Sequence, residues 1–144
     1  MSITGALQGA FLKLHQALYE RTDGRIGKNL GGTPCLLLFT VGARTGAART
    51  SALVYAPDGD GYVVVGSNGG QERSPGWIFN LKANPNSEIQ VGRERLNVSS
   101  LIVNKGDADY ERLWGLVNKI NKDRYDAYQL KTPRPIPLAV LIPR

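Results

Sequence analysis

The chain has 144 residues, 42% of them hydrophobic, and its 18 basic and 12 acidic side chains give a formal net charge of +6. This size and apolar content predict a single domain over residues 1–144 that buries its own core without disulfide bonds. One histidine and one cysteine are too few for a zinc site or a Cys–His catalytic pair, so we expect no metal.

The composition also narrows the compartment and the partners. Residues Met1–Gly9 lack the basic start and apolar core of a secretory signal, and the lone Cys35 cannot form an internal disulfide, so we expect a cytoplasmic protein. The positive charge suits a polyanionic small molecule, an anionic membrane or nucleic acid. Standard nucleic-acid motifs are missing, so we expect no nucleic-acid partner. The alternative is that the excess charge only keeps the protein soluble.

The first predicted element, within residues 1–23, is an amphipathic helix over Ile3–Arg21. Its polar face has only Lys13 and Arg21 as cations, which is a weak basic face for anionic lipid. Packing of this helix against the domain is the favoured interpretation. The alternative is a peripheral contact at the inner membrane face.

Two predicted strands, Cys35–Val41 and Ser51–Ala56, flank the segment GARTGAART at Gly42–Thr50. Glycines in such a hairpin let backbone N–H groups approach an anion, and Arg44 and Arg49 can add charge-assisted, often bidentate hydrogen bonds. A solvated basic hairpin tip without a ligand is the alternative.

A second glycine-rich segment, GSNGG at Gly66–Gly70, follows a predicted strand over Tyr62–Ser67. Ser74 and Pro75 have the pattern of an N-cap and a first helical residue, and Asn84-Pro85 ends that helix. A helix N-terminus beside glycines is a second place for an anion or a polar ring edge.

The remaining elements are two strands, a helix and a final strand. The strands Ser87–Val91 and Arg95–Val103 form a hairpin, Asp107 is the predicted N-cap of the next helix, and Ile136–Ile142 is the last strand. Six short strands joined mostly by tight turns, with flanking helices, favour an α+β fold built on a small barrel.

Three motifs that follow one another along the chain resemble those of a known protein family. They are G-x-[RK]-[ST]-G-x-x-R at Gly42–Arg49, Ser-x-Gly-Gly at Ser67–Gly70, and P-x-W-x-x-N-L-x-A-N-P at Pro75–Pro85. In this order they resemble the deazaflavin-dependent nitroreductase family, over most of the chain from Leu36 onward. The resemblance implies a split β-barrel of about six mainly antiparallel strands, related to the flavin-binding pyridoxamine-phosphate-oxidase type. It also implies an 8-hydroxy-5-deazaflavin coenzyme with an oligoglutamate tail.

The resemblance further implies which residues hold the coenzyme. They lie in the basic hairpin and its second strand, at the end of the next strand, and on the helix that follows: Arg44, Thr45, Gly46, Arg49, Thr50, Ser51, Ala52, Leu53, Val54, Val65, Gly66, Ser67, Asn68, Gly76, Trp77, Ile78, Phe79 and Asn80. Ser67 matches a serine beside the reactive region, so it is the expected catalytic residue. Trp77 is expected to contact the coenzyme, with burial in the core as the alternative.

The acceptor pocket is expected to include Val54, Tyr125 and Tyr128, with packing of the last helix as the alternative for the two tyrosines. Val54 replaces a tyrosine of the nitroreductase-type members, Asn68 a lysine, and Ala43 an arginine. These changes argue against nitroimidazoles and leave a quinone, an enone or another nitroaromatic. The implied function is hydride transfer from the reduced coenzyme to such a small-molecule acceptor. The alternatives are an FMN-binding split-barrel reductase and a non-catalytic deazaflavin carrier, and the sequence leaves the oligomeric state open.

Overall fold

The structure is a computed structural model that describes residues 29–30 and 33–144. The helix expected over Ile3–Arg21 lies outside the described residues. The strands are β1 Asn29–Leu30, β2 Thr33–Val41, β3 Ala48–Val54, β4 Ala56–Asp58, β5 Gly61–Val65, β6 Asn86–Val91, β7 Glu94–Val103 and β8 Leu138–Pro143. The helices are α1 Gly76–Ala83, α2 Tyr110–Ile120 and α3 Arg124–Gln129, and a 3-10 turn spans Asn68–Gly70.

All pairings in the sheet are antiparallel, in the order β1-β2-β6-β7-β8-β5-β4, and β3 pairs with β2. A single residue, Tyr55, separates β3 from β4, although β3 pairs with β2 and β4 pairs with β5 at the far end of the order. The sheet therefore curls until its two ends meet. This is the expected α+β split barrel, with the predicted strand Ser51–Ala56 divided in two at Tyr55.

The core lies on both faces of the curled sheet. On the inner face, Leu36, Leu38 and Val64 pack against α1. On the outer face, Val63 and Val65 pack against α2 and α3. Because β5 is buried on both faces, its side chains form a continuous apolar run rather than an alternating pattern.

Both helix starts differ from the sequence prediction. Helix α1 has Pro75 as its N-cap residue, and the hydroxyl of Ser74 instead accepts a hydrogen bond from Arg134 at 3.2 Å. Helix α2 begins at Tyr110, because Asp107 caps the preceding turn by accepting the Asn104 N–H at 2.7 Å. In both cases the side-chain oxygen of the predicted N-cap residue accepts a hydrogen bond from a donor outside the helix. The helix then begins further along the chain.

Tyr110 connects the outer helices to the last strand. Its hydroxyl donates to the carbonyl of Ile136 at 2.6 Å, and burial raises the pKa of Tyr110 to about 12.

The unfolded chain releases the Tyr110 proton near pH 10, so the stability from the neutral phenol is present below pH 10 and is lost as pH rises toward 12. The gap in urea-unfolding free energy between wild type and Tyr110→Phe is therefore expected to narrow from pH 9 to pH 12. Tyr128→Phe is the control, and a constant gap would contradict this role.

Candidate functional site

The segment after β5 turns sharply through three successive left-handed residues. Asn68, Gly69 and Gly70 have φ angles of 48°, 65° and 83°. Asparagine and glycine are the residues that enter this region most readily, which explains the sequence Asn-Gly-Gly. The turn is closed by the Gly70 N–H, which donates to the Ser67 carbonyl at 2.9 Å. We call residues 66–74 the glycine loop.

Gly70 also allows a close approach to helix α3. A Cβ placed there would lie 2.7 Å from the Tyr128 carbonyl oxygen, whereas a Cβ on Gly106, at φ +99°, would have no neighbour within 4 Å. Gly70→Ala is therefore expected to lower the free energy of unfolding by about 3 kcal/mol, and Gly106→Ala by about 1 kcal/mol, since only the first adds a backbone clash to left-handed strain. Urea unfolding measures both, and equal losses would show that the contact with α3 has no energetic weight.

Ser67, the expected catalytic residue, lies at the start of the glycine loop and is 8% exposed. Its carbonyl is held by Gly70 and by Arg134, at 2.9 and 2.8 Å. Its hydroxyl has no hydrogen-bond partner among the residues that the structure describes. The backbone of Ser67 is therefore fixed while its hydroxyl is available to a ligand.

The basic hairpin forms with a shorter turn than predicted, because residues 42–47 join β2 to β3 and Arg49 already lies in β3. The Gly42 N–H donates to the Ala47 carbonyl at 2.8 Å, and the Gly46 N–H donates to the Gly42 carbonyl at 2.9 Å. Arg44 and Arg49 are exposed and make no ion pair within the described part of the chain. Thr45 and Gly46 lie at the same exposed tip.

Asn80 joins this hairpin to helix α1. Its Oδ1 accepts the Ala43 N–H at 2.8 Å, and its Nδ2 donates to Oγ1 of Thr40 at 3.0 Å. Asn80 and Thr40 are buried, at 8% and 7% exposure. The Asn80 side chain thus holds the hairpin in place, a role that the sequence did not indicate.

The predicted contacts on helix α1 divide between core and surface. Trp77 and Ile78 belong to the inner core, at 6% and 0% exposure. The Trp77 ring is therefore buried in the core, as the alternative to a coenzyme contact expected. Gly76 is exposed, and the 38% exposed ring of Phe79 lies between Arg73 and Lys82, at 5.3 and 5.8 Å from its centroid. The exposed Phe79 ring therefore has two cations beside it, Arg73 of the glycine loop and Lys82 of helix α1.

Strand β3 divides its predicted contacts between two faces. Arg49, Ser51 and Leu53 oppose Thr40, Leu38 and Leu36 of β2, and so they share the inner face. Thr50, Ala52 and Val54 oppose Phe39, Leu37 and Cys35 on the outer face. A ligand lying on one face of this strand can contact only one of the two rows of side chains.

The predicted acceptor residues lie on the outer side of the sheet. Tyr125 is 6% exposed, and its ring centroid lies 6.4 Å from that of Trp114 and 6.2 Å from that of Tyr128. Burial raises the pKa of Tyr125 above its usual value. Tyr128 is half-buried beside the glycine loop. The structure thus brings the Tyr128 backbone against Gly70 of the glycine loop, and it packs Tyr125 as a core residue beside Trp114 and Tyr128.

Arg134 is the site residue that sequence analysis missed. Its guanidinium group reaches across the glycine loop and donates to the carbonyls of Gly66, Ser67 and Gln71. Its position between Pro133 and Pro135, in a segment otherwise rich in apolar residues, is the only signal that the sequence offered.

The donor set fits a polyanionic coenzyme with a ring. Arg44 and Arg49 are unpaired among the described residues and suit phosphate or carboxylate groups, and helix α1 begins without a side-chain cap. The free hydroxyl of Ser67 suits a polar edge of the ring. No helix in the described part of the chain is long and apolar enough to cross a bilayer.

Comparison with known proteins identifies the family of this chain. Residues 11–143 match the family model described as F420H(2)-dependent quinone reductase. An F420H(2)-dependent quinone reductase of Mycobacterium tuberculosis strain H37Rv is 53% identical over 134 residues, which is 92% of this chain and 90% of that protein.

Two solved structures have the same fold. One, titled as an F420-H2 dependent reductase, is 32% identical with a TM-score of 0.66 and covers 75% of this chain and 93% of its own. Another, titled as a domain-swapped dimer, is 29% identical with a TM-score of 0.70 and covers 97% of this chain and 99% of its own. The chain is therefore a member of the F420H(2)-dependent quinone reductase family, an oxidoreductase whose cofactor is the deazaflavin coenzyme F420.

Proposed function

We propose that this protein reduces a quinone with the reduced 8-hydroxy-5-deazaflavin coenzyme F420, bound between the basic hairpin and the glycine loop. When bound, the coenzyme supplies the hydride, and a proton completes the conversion of quinone to quinol. The site assignment rests on the two hydrogen bonds that join Asn80 to Ala43 and Thr40, which we call the Asn80 bridge. This bridge fixes the hairpin with its unpaired arginines to helix α1, whose Ile78 lies against Gly66, the residue before Ser67.

The residues of the chain have distinct roles in this proposal. Arg44 and Arg49 bind the phosphodiester and the oligoglutamate tail, and the backbone of residues 65–68 lies along the ring. Tyr125, Tyr128 and Val54 line the acceptor side. Holding donor and acceptor in a fixed geometry lowers the barrier by up to roughly 7 to 11 kcal/mol, so the protein acts mainly by positioning.

The test is a fluorescence titration of the purified protein with oxidised F420, with FMN in parallel, followed by turnover of the reduced coenzyme with menadione as the quinone. Tight F420 binding together with menadione reduction supports the proposal. Preference for FMN would indicate the flavin-binding alternative, and F420 binding without turnover would indicate a carrier.

Ser67→Ala is expected to lower the rate of menadione reduction about 10-fold, the effect of losing one hydrogen bond of ~1.4 kcal/mol in the transition state. The dissociation constant of oxidised F420 is expected to stay within about 3-fold, since the hairpin is untouched. Stopped-flow fluorescence measures the rate, and Ser99→Ala, a change to a half-buried serine on β7, is the matched control. Turnover unchanged with every acceptor would contradict the role of Ser67.

We also propose that the small-molecule acceptor is the main partner and that the chain acts in the cytoplasm. Contact with a membrane surface through the first helix stays a prediction, tested by co-sedimentation with anionic vesicles. Binding that disappears when residues before Asp23 are deleted would establish that contact. Unchanged sedimentation with and without vesicles would contradict it.

A further inference from the structure

Arg134 is held almost entirely by neutral oxygen atoms of one loop. Its Nε donates to the Gln71 carbonyl at 2.8 Å, and one terminal nitrogen donates to the Ser67 carbonyl at 2.8 Å. Both terminal nitrogens lie 3.2 Å from the Gly66 carbonyl. The Ser74 hydroxyl and the Arg73 carbonyl, at 3.2 and 3.4 Å, complete the set.

This arrangement is unusual for an arginine, because no carboxylate faces it among the described residues. Burial without a counter-ion disfavours the charged form and lowers the pKa of Arg134. A half-buried charge that is held only by neutral oxygen atoms is costly to keep. The planar donors of the guanidinium group fix several of these acceptors in one geometry. Arg134 thereby contacts both ends of the glycine loop, and Nδ2 of Asn68, which donates to the Arg73 carbonyl at 3.0 Å, adds a second link within it.

The backbone of Arg134 is in turn fixed to helix α3. Gln129, the last residue of α3, donates through Nε2 to the carbonyls of Thr132 and Arg134 at 3.2 and 2.8 Å. Its Oε1 accepts the Ile136 N–H at 3.0 Å. Gln129 therefore holds the segment that carries Arg134 from both sides.

The glycine loop touches the same helix directly, where Gly70 lies against the Tyr128 carbonyl. Helix α3 carries Tyr125 and Tyr128, and the glycine loop carries Ser67. Two independent contacts, through Gly70 and through Gln129 and Arg134, thus join the proposed acceptor side to the proposed coenzyme side.

We propose that Arg134 is a positioning residue that sets Ser67 and the glycine loop at a fixed distance from helix α3, and so aligns coenzyme and quinone for hydride transfer. This inference rests on the proposed function. It differs from the roles of Arg44 and Arg49, because Arg134 uses its donors within the protein rather than on a ligand.

The first measurement is independent of activity. Amide hydrogen exchange over residues 66–74 is expected to be faster in Arg134→Ala than in wild type, and added guanidinium ion at low millimolar concentration is expected to restore protection. Arg112→Ala, which removes an exposed arginine of α2 paired with Asp58, is the control and should leave this segment unchanged. Unchanged exchange in Arg134→Ala would overturn the positioning role, even if the chain binds no F420.

The second measurement separates binding from hydride transfer. A displacement near 1 Å in a reacting geometry costs about 100-fold in rate, so single-turnover menadione reduction is expected to fall about 100-fold in Arg134→Ala. The dissociation constant of oxidised F420 should stay within about 3-fold, because the hairpin is intact. Guanidinium should recover at least about 10-fold of the lost rate, whereas equal concentrations of sodium chloride should not.

Arg134→Lys gives the same test in a variant that retains the charge and the aliphatic stem. An ammonium group cannot donate to all of these separated carbonyls at once. The single-turnover rate of menadione reduction by Arg134→Lys is therefore expected to stay near that of Arg134→Ala. Full activity in Arg134→Lys, or equal loss of rate and coenzyme affinity in both variants, would overturn the proposal. A wild-type protein that neither binds F420 nor reduces menadione would overturn the proposed function instead, and the exchange result would still decide the role of Arg134.

Discussion

Replacing Arg44 and Arg49 together by alanine is expected to weaken the binding of oxidised F420 about 100-fold. Each guanidinium is exposed and unpaired among the described residues, and each charge-assisted contact to an anionic group is worth about 1.4 kcal/mol or more. Because exposed charges are screened by salt, wild-type affinity should fall as ionic strength rises, and the affinity of the double variant should change much less.

The control for this experiment removes the same charge elsewhere. Arg93→Ala combined with Lys119→Ala changes the turn between β6 and β7 and the exposed surface of α2, and it should leave F420 affinity within about 2-fold. Equal losses in the two double variants would mean that net charge attracts the coenzyme without a specific site. Unchanged affinity in Arg44→Ala/Arg49→Ala would remove the hairpin from the proposed site.

Asn80→Ala is expected to lower the free energy of unfolding by about 3 kcal/mol and to weaken F420 binding about 10-fold. The variant loses two hydrogen bonds, and it leaves the buried Thr40 hydroxyl and the Ala43 N–H without their partner. With its anchor removed, the hairpin no longer holds Arg44 in one place. Urea unfolding and the fluorescence titration measure the two effects.

Asn97→Ala, at an exposed position on β7, is the matched control and should cost less than about 0.5 kcal/mol. Thr40→Val removes only the bond to Nδ2, so its loss should fall between those of Asn97→Ala and Asn80→Ala. A loss below about 1 kcal/mol in Asn80→Ala would show that the bridge contributes little to the fold.

The sheet was largely predictable because its signals are local. The apolar run that ends at Val65 is continuous in sequence, and each of the two hairpins, at residues 42–47 and after Val91, joins strands that are neighbours along the chain. The single predicted strand Ser51–Ala56 is wrong as one element. Pairing with β2 and β5, at opposite ends of the sheet, divides it at Tyr55, and no local pattern reports that.

The sequence by itself located the two loops that carry the proposed binding groups, the basic hairpin and the glycine loop. Arg44 lies between Gly42 and Gly46, and the Asn-Gly-Gly turn adopts the left-handed φ angles that asparagine and glycine enter most readily. The order of residues is therefore enough to locate the hairpin and the glycine loop. The tertiary structure alone decided which side chains hold these tips in place. Asn80 binds residues 37 and 40 positions away, and Arg134 binds the glycine loop from 60 to 68 positions away. Hydrogen bonds over such separations depend on the curl of the sheet, and a single sequence carries no periodic signal for them.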